Sequence, residues 1–108
     1  MVTISRPLIR DFITRFPLSA TALNRWYEIT KRSDWSNFND VKKTWNHCHS
    51  IGNDRYTFEI AGNSYSLIAL IHFKRRILYI RKILTYHEYT ELCKKDAVKY
   101  PLRNLKIL

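Results

Sequence analysis

The stretch from Tyr56 to Tyr89 constrains the fold of this chain more than any other part of it. Apolar and polar residues alternate over Tyr56–Ile60, which is the period-two pattern of a half-buried β-strand. The Gly62-Asn63 pair predicts a hairpin turn after this strand, because both residue types tolerate a positive φ. Two more strands are predicted to follow, over Tyr65–Phe73 and Ile77–Leu84. The simplest topology for three such strands is an antiparallel meander.

The same stretch ends in a helix. Thr85 and Glu88 have the spacing of a capping box, in which the threonine is the N-cap and the glutamate lies three positions later. Tyr89, Leu92 and Cys93 then fall on one helical face. We therefore predict a C-terminal helix that begins directly after Thr85.

Helical periodicity dominates the earlier part of the chain. A first helix is predicted to start near Ser5, with Pro7 in its first turn, and to end where Pro17 interrupts the pattern. A second is predicted with Ser19 or Thr21 as its cap, and a short third one with Asn37 as its cap. Their apolar residues recur at helical spacing: Ile9, Phe12, Ile13 and Phe16 in the first, Leu23, Trp26 and Tyr27 in the second, and Phe38, Val41 and Trp45 in the third.

These elements predict an α+β fold. The N-terminal helical hairpin and the short third helix pack on a small antiparallel β-sheet, which is followed by the C-terminal helix. The segment 46–54 is polar and is expected to be irregular. At 108 residues the chain has room for a single domain, predicted to span residues 1–108.

The chain is strongly basic. It has 19 Lys and Arg against 9 Asp and Glu, a formal net charge of +10 and a pI near 9.9. Such a field favours phosphate-rich or acidic partners, but charge alone leaves RNA, DNA, an acidic protein and an anionic membrane open. No apolar run approaches the roughly 18 residues of a spanning helix, and the N-terminus lacks the apolar region of a signal peptide. We therefore expect a soluble, cytoplasmic protein without a membrane partner.

The cysteines and histidines predict neither a disulfide framework nor a metal site. Cys48 and Cys93 are two and far apart, so two reduced thiols are expected. His47 and His49 flank Cys48, but neighbouring side chains on an extended segment point in alternating directions and no second cluster completes a four-ligand shell. Because the chain also lacks a glycine-rich phosphate loop, a nucleophile elbow and paired carboxylates, we predict no metal and no cofactor.

The junction at Thr85 is the place where the residues best suit chemistry. Tyr86 and His87 occupy the first turn of a helix whose backbone N–H groups attract phosphate, and Arg81 lies just upstream on the strand. RNA cleavage by a 2′-hydroxyl needs a base, cations for the phosphorane and an acid for the leaving oxygen. Arg81, Tyr86 and His87 are therefore the candidate catalytic residues. The alternatives are that His87 is a solvated polar residue, that Tyr86 only packs, and that Arg81 pairs with Glu59 across the sheet.

Two basic clusters are candidate RNA contacts. Lys74, Arg75 and Arg76 lie at a hairpin tip that lacks the usual glycine, and they could hold RNA phosphates or simply protect a sheet edge. Lys42 and Lys43 form a second pair. With Lys31-Arg32 they flank Trp35, which could stack on a base, although a core position is expected for Trp26, Trp35 and Trp45.

A family resemblance is carried by three segments of the chain. The first is F-x-I-x-G-N-x-Y-x-L-I from Phe58, the second is the short basic hairpin, and the third is Y-I-R-x-I-x-T-x-x-E-Y from Tyr79 to Tyr89. Together they resemble the HigB branch of the RelE/ParE superfamily of bacterial toxins. The resemblance implies a RelE-like fold and a ribosome-dependent mRNA endoribonuclease that inhibits translation. It also implies a HigA-like antitoxin that is encoded next to the toxin and carries a helix-turn-helix domain. Contacts with ribosome and mRNA are implied as well, and a higher toxin–antitoxin assembly is one arrangement to expect.

Two positions depart from the pattern of that family. Tyr86 stands where the family typically has histidine, and His87 comes one residue later, about 100° further around a helix. Ser66 stands where the family tends to have arginine. These departures motivate an alternative, a catalytically weak homologue that only binds RNA, ribosome or antitoxin. A ParE-like gyrase inhibitor is a third hypothesis.

Overall fold

The structure is a computed structural model that describes residues 1–95. The last part of the predicted single domain, residues 96–108, lies outside the described residues. Four α-helices and five β-strands are present in the described part, with a single 3₁₀ turn over Pro17–Ser19. The helices are α1 (Arg6–Arg15), α2 (Ala20–Arg32), α3 (Phe38–Thr44) and α4 (Tyr86–Lys95), and the strands are β1 (Val2–Ile4), β2 (Cys48–Gly52), β3 (Arg55–Ile60), β4 (Tyr65–His72) and β5 (Ile77–Thr85).

The predicted helices are confirmed, but only one of the first three has the predicted cap. The Asn37 side chain accepts a hydrogen bond from the Asp40 backbone N–H at 3.0 Å, as expected for an N-cap. Ser5 lies in the left-handed region, with φ 78°, and its side chain makes no cap hydrogen bond. The Ser19 hydroxyl donates to the Phe16 carbonyl at 2.7 Å, because the chain passes through the 3₁₀ turn before α2 begins.

The sheet is larger than the predicted three-stranded meander. Its strand order is β1-β5-β4-β3-β2, and the β1–β5 pair is parallel while the other three pairs are antiparallel. The expectation of an irregular segment over 46–54 is wrong, since β2 pairs there with β3. Its polar residues suit an edge strand, whose outer side faces water. The polar composition of this segment therefore did not indicate a strand in the sequence.

The two faces of the sheet are covered differently. On one face α1, α2 and α3 enclose the main core, in which Trp26, Phe58 and Leu67 are fully buried. On the other face α4 covers a smaller cluster around Ile68, Tyr89 and Cys93. The expected core positions of Trp26 and Trp35 are confirmed, so the alternative of Trp35 as a base-stacking platform is excluded; Trp45 is only half-buried.

Both cysteines are buried, and they lie in different clusters, with Cys48 in the main core and Cys93 beneath α4. Across residues 1–95, no three His, Cys, Asp or Glu side chains are grouped so that they could hold a metal ion. In the same range no helix is both long enough and apolar enough to cross a membrane.

Candidate active site

The capping box at the start of α4 forms as the sequence predicts. The Thr85 backbone N–H donates to the Glu88 carboxylate at 2.9 Å, and the Glu88 N–H donates to the Thr85 hydroxyl at 3.2 Å. The Tyr86 N–H donates to the Ser64 carbonyl of the β3–β4 turn at 2.9 Å. Two first-turn N–H groups, those of Tyr86 and Glu88, are therefore already occupied. Fewer N–H groups of this helix terminus are left for a phosphate than the sequence suggested, so phosphate binding there is weaker support for the site.

Tyr86 and His87 are both exposed on the first turn of α4. Neither side chain makes a hydrogen bond or ion pair with another residue in the described part of the chain, so both are accessible to a ligand. Tyr89 is buried against Ile68 on the sheet instead. The alternative that Tyr86 only packs is not supported by its exposure.

Arg81 lies at a β-bulge. Ile80 pairs with Ala69 and Lys82 pairs with Ile68, which leaves Arg81 without an opposite residue on β4. Arg81 and Lys82 are both exposed. The bulge thus presents two successive cations to solvent, whereas a regular strand would turn one of them toward the other face. Sequence reasoning did not include Lys82 in the site.

The cross-sheet pair of Arg81 with Glu59, left open by the sequence, does not form. β4 lies between β3 and β5, and the Glu59 carboxylate instead contacts His49 on β2, with 2.7 Å between Oε2 and Nε2. Glu59 is 9% exposed and His49 37% exposed. The pair joins β2 to β3 and leaves Arg81 available.

A basic strip extends from the bulge along the uncovered part of the α4 face. Lys82 pairs with Ile68, whose side chain packs beneath α4, so by strand alternation the strip lies on the face that α4 covers. The His72 and Tyr79 rings meet edge to face with centroids 5.8 Å apart, and Lys74 and Arg75 are exposed at the hairpin tip. A cavity of about 490 Å³ adjoins that tip and is lined in part by His72, Lys74 and Arg75. We define the basic strip as His72, Lys74, Arg75, Tyr79, Arg81 and Lys82.

The third residue of the predicted hairpin cluster differs from its neighbours. The Arg76 guanidinium donates to Asp34 Oδ1 at 2.6 Å, to Ser36 Oγ at 3.0 Å and to the Phe73 carbonyl. Its backbone has φ 56°, a left-handed conformation that the chain adopts here without glycine. Arg76 therefore ties the β4–β5 turn to the loop after α2, while Lys74 and Arg75 are exposed and have no side-chain partner among residues 1–95.

The two lysines of the second predicted cluster, Lys42 and Lys43, also differ in their contacts. The Lys42 ammonium donates to the carbonyls of Asn46 and Cys48, at 2.7 Å and 3.2 Å, and so fixes the connection from α3 to β2. Lys43 is exposed. Lys42 thus has a structural role, and Lys43 is the accessible member of the pair.

The structure brings the candidate residues to one side of the molecule but not to one point. Tyr86 comes five positions after Arg81, and at about 3.3 Å per strand residue their Cα atoms are up to roughly 16 Å apart. Tyr86 and His87 are adjacent and both exposed, so one phosphate bound at this turn would lie near both. Arg81 and Lys82 suit a different phosphate of the same strand.

The spacing of core residues on β5 contains the signal that would have revealed the bulge. Leu78 and Ile80 are core residues two positions apart, whereas the next residue that packs on the main core is Ile83, three positions later. A change of spacing from two to three in a strand indicates one inserted residue. The signal was present in the sequence but could also be read as the end of the strand.

Fold and site together define a small, strongly basic α+β domain of RelE-like architecture with an exposed cationic strip on its sheet. The family model for HigB toxin, described as the RelE-like toxic component of a toxin–antitoxin system, matches residues 19–92. Since this match covers more than half of the chain, the chain belongs to the HigB toxin family. It is also similar to the mRNA interferase HigB of Escherichia coli O6:H1, with 24% identity over 94 residues that cover 85% of this chain and 91% of that protein.

Proposed function

We propose that this toxin is a ribosome-dependent mRNA endoribonuclease that acts in the cytoplasm and is neutralised by a HigA-like antitoxin. The observation that carries the proposal is the bulge on β5, which exposes Arg81 and Lys82 on the side of the sheet where Tyr86 and His87 begin α4. The similarity to a protein named mRNA interferase HigB supports the same activity. A net charge of +10 suits a ribosome and mRNA as partners.

In the proposed mechanism the 2′-hydroxyl of the bound mRNA attacks the adjacent phosphate. His87 accepts the hydroxyl proton, and Tyr86 donates a proton to the departing 5′-oxygen as the P–O5′ bond breaks. Arg81, with Lys82, holds the strand at a neighbouring phosphate and so positions the reacting phosphate at Tyr86 and His87. Lys74, Arg75 and Lys43 contact RNA further from the reaction. The ribosome, in keeping with the resemblance to RelE-like toxins, helps to orient the substrate.

Transcript-end mapping after expression of the toxin with and without its antitoxin tests this proposal. We expect His87→Ala to lower ribosome-dependent cleavage about 100-fold or more, because a positioned proton acceptor contributes that much. Arg81→Ala is expected to lower it about 10-fold, because a cation that holds the strand is lost. Arg10→Ala is the matched control, since Arg10 is an exposed arginine on α1, which packs on the opposite face of the sheet from the strip.

Two outcomes would contradict the proposal at different points. Growth arrest without new mRNA ends would refute cleavage as the mode of toxicity. Full cleavage by both His87→Ala and Arg81→Ala would leave the activity intact but refute the assignment of the site.

One observation favours the second hypothesis, a catalytically weak homologue that acts by binding. Ser66 is fully buried and lies opposite Glu59 in the β3–β4 register, so this position offers no cation and has a carboxylate beside it. The double variant Ser66→Arg with Tyr86→His restores both family residues. A large gain in cleavage would favour the weak homologue, and no gain would favour a native site built from the residues present. Gyrase supercoiling assays test the ParE-like hypothesis.

A further inference from the structure

An apolar cavity lies outside the candidate active site, at the end of β3. Its volume is about 470 Å³, and Leu18, Ala22, Trp45 and Ala61 contribute much of its lining. It forms because β2 begins at Cys48, opposite Phe58, so β3 has no neighbouring strand on this side beyond that pair. The Trp45 indole N–H donates to the Glu59 carbonyl at 3.1 Å and forms one wall. We call this feature the β3-edge cavity.

Leu18 makes this cavity unusual. The side chain is 91% exposed, the highest value among the large hydrophobic residues of the described chain. A fully exposed leucine beside an apolar cavity gains from burial only if another molecule covers it. Interfaces concentrate their binding energy in such buried apolar contacts at a cavity, surrounded by a polar rim.

The rim of the cavity defines the charge of the occupant. Arg25 and His47 are exposed and line it, and the Arg25 guanidinium makes no ion pair with another residue between positions 1 and 95. The whole chain carries +10. A second copy of the toxin would bring the same positive charge to the contact, whereas an acidic partner would be attracted. RNA is disfavoured because Leu18 and the apolar lining offer nothing to a phosphate backbone.

We infer that the β3-edge cavity is the docking site for the antitoxin, which inserts one large apolar side chain beside Leu18 and places a carboxylate near Arg25. This inference rests on the antitoxin part of the proposed function and is independent of the cleavage mechanism. Leu18, Thr21, Ala22 and Arg25 line the cavity beside the start of α2, and none of its lining residues belongs to the basic strip. Binding and catalysis can therefore be separated by mutation.

Affinity for the purified helix-turn-helix protein encoded beside the toxin gene tests the inference. We expect Leu18→Glu and Arg25→Glu each to weaken binding roughly 30-fold or more, which is the effect of a hot-spot residue. Asn24→Glu is the matched control, because Asn24 is exposed on α2, as Arg25 is, and does not line the cavity. It should bind within about threefold of the wild type. In cells, Leu18→Glu should arrest growth as the wild type does but no longer be relieved by that protein.

A competing surface provides the sharpest contrary result. Val2 is 61% exposed on β1, an edge strand of the sheet, and after Leu18 it is the most exposed large hydrophobic residue within residues 1–95. If Val2→Glu abolishes binding and Leu18→Glu does not, the antitoxin docks at β1 and the inference is overturned.

Other results that would overturn it are wild-type affinity in Leu18→Glu, and no affinity of the neighbouring protein for the wild-type toxin. Loss of toxin self-association or of RNA binding in Leu18→Glu, with antitoxin affinity unchanged, would instead identify a second copy or RNA as the occupant. A failure of the proposed cleavage can be distinguished from a failure of this inference. In that case the wild type produces no new mRNA ends, while Leu18→Glu still loses antitoxin binding.

Discussion

The two faces of the sheet differ in what covers them. On the α1–α3 face Phe58 is fully buried between Trp26 and Trp35, with ring centroids 5.3 Å and 6.3 Å away. On the α4 face one helix covers only part of the sheet, and Arg81 and Lys82 remain in solvent. The first face supplies most of the buried apolar area that stabilises the fold. The second leaves room for a ligand.

This difference separates stability from activity within one small domain. Substitutions on the α1–α3 face should change the free energy of unfolding, and substitutions in the basic strip should change RNA cleavage at nearly constant stability. Four substitutions test that separation.

Phe58→Ala should have the largest effect. Removing a fully buried phenyl ring between two indoles is expected to lower the free energy of unfolding by about 3–5 kcal/mol. Leu84→Ala on the α4 face is the comparison, and it should cost only about 1–2 kcal/mol because Leu84 is half-buried. Urea unfolding monitored by far-UV circular dichroism gives both values. Equal losses would show that the two faces contribute alike.

Arg76→Ala should lower stability by about 1 kcal/mol, since it removes hydrogen bonds to Asp34 and Ser36 that are partly exposed. Arg75→Ala, the adjacent exposed arginine, should change stability by less than about 0.5 kcal/mol. For RNA binding the order should reverse, and Arg75→Ala should reduce the salt dependence of the affinity by about one unit of slope. The same salt dependence in wild type and Arg75→Ala would remove Arg75 from the RNA surface.

Thr85→Ala should lower both stability and RNA cleavage. Loss of the capping hydroxyl should cost about 1 kcal/mol and loosen the first turn of α4, which holds Tyr86 and His87. Cleavage should fall more than stability alone explains. Thr85→Ser keeps the hydroxyl and should preserve both; a decline in Thr85→Ser equal to that in Thr85→Ala would mean that the cap is not the cause.

Tyr56→Phe should have the smallest effect and appear only at alkaline pH. Burial, and then the nearby Asp54 carboxylate, raise the pKa of the Tyr56 phenol above its usual 10.0. The folded state therefore holds this proton more tightly than the unfolded state, and the associated stability is lost as the pH rises above about 10. Unfolding at about pH 8 and about pH 11 should show a smaller alkaline loss in Tyr56→Phe than in the wild type. A parallel decline in the two proteins would contradict this role.

Local sequence patterns predicted an element correctly where its structure depends on residues only a few positions apart. The alternation over Tyr56–Ile60, the cap at Asn37 and the capping box of Thr85 and Glu88 each depend on residues within a few positions of one another. The sequence could not show that Glu59 contacts His49, or that Arg76 and Lys42 serve the fold, because those partners come from other elements.

What the sequence determined by itself is therefore the set of helices, the central three strands, the positive charge and the family pattern. The tertiary structure decided the rest: that Val2–Ile4 joins the sheet beside β5, that Cys48–Gly52 closes its other edge, and which cations remain free. Edge strands and surface ion pairs depend on neighbours distant in sequence, and their own residue patterns are weak. The bulge that exposes Arg81 and Lys82 has only an ambiguous signal in the sequence, and the pairing of β4 with β5 decides it.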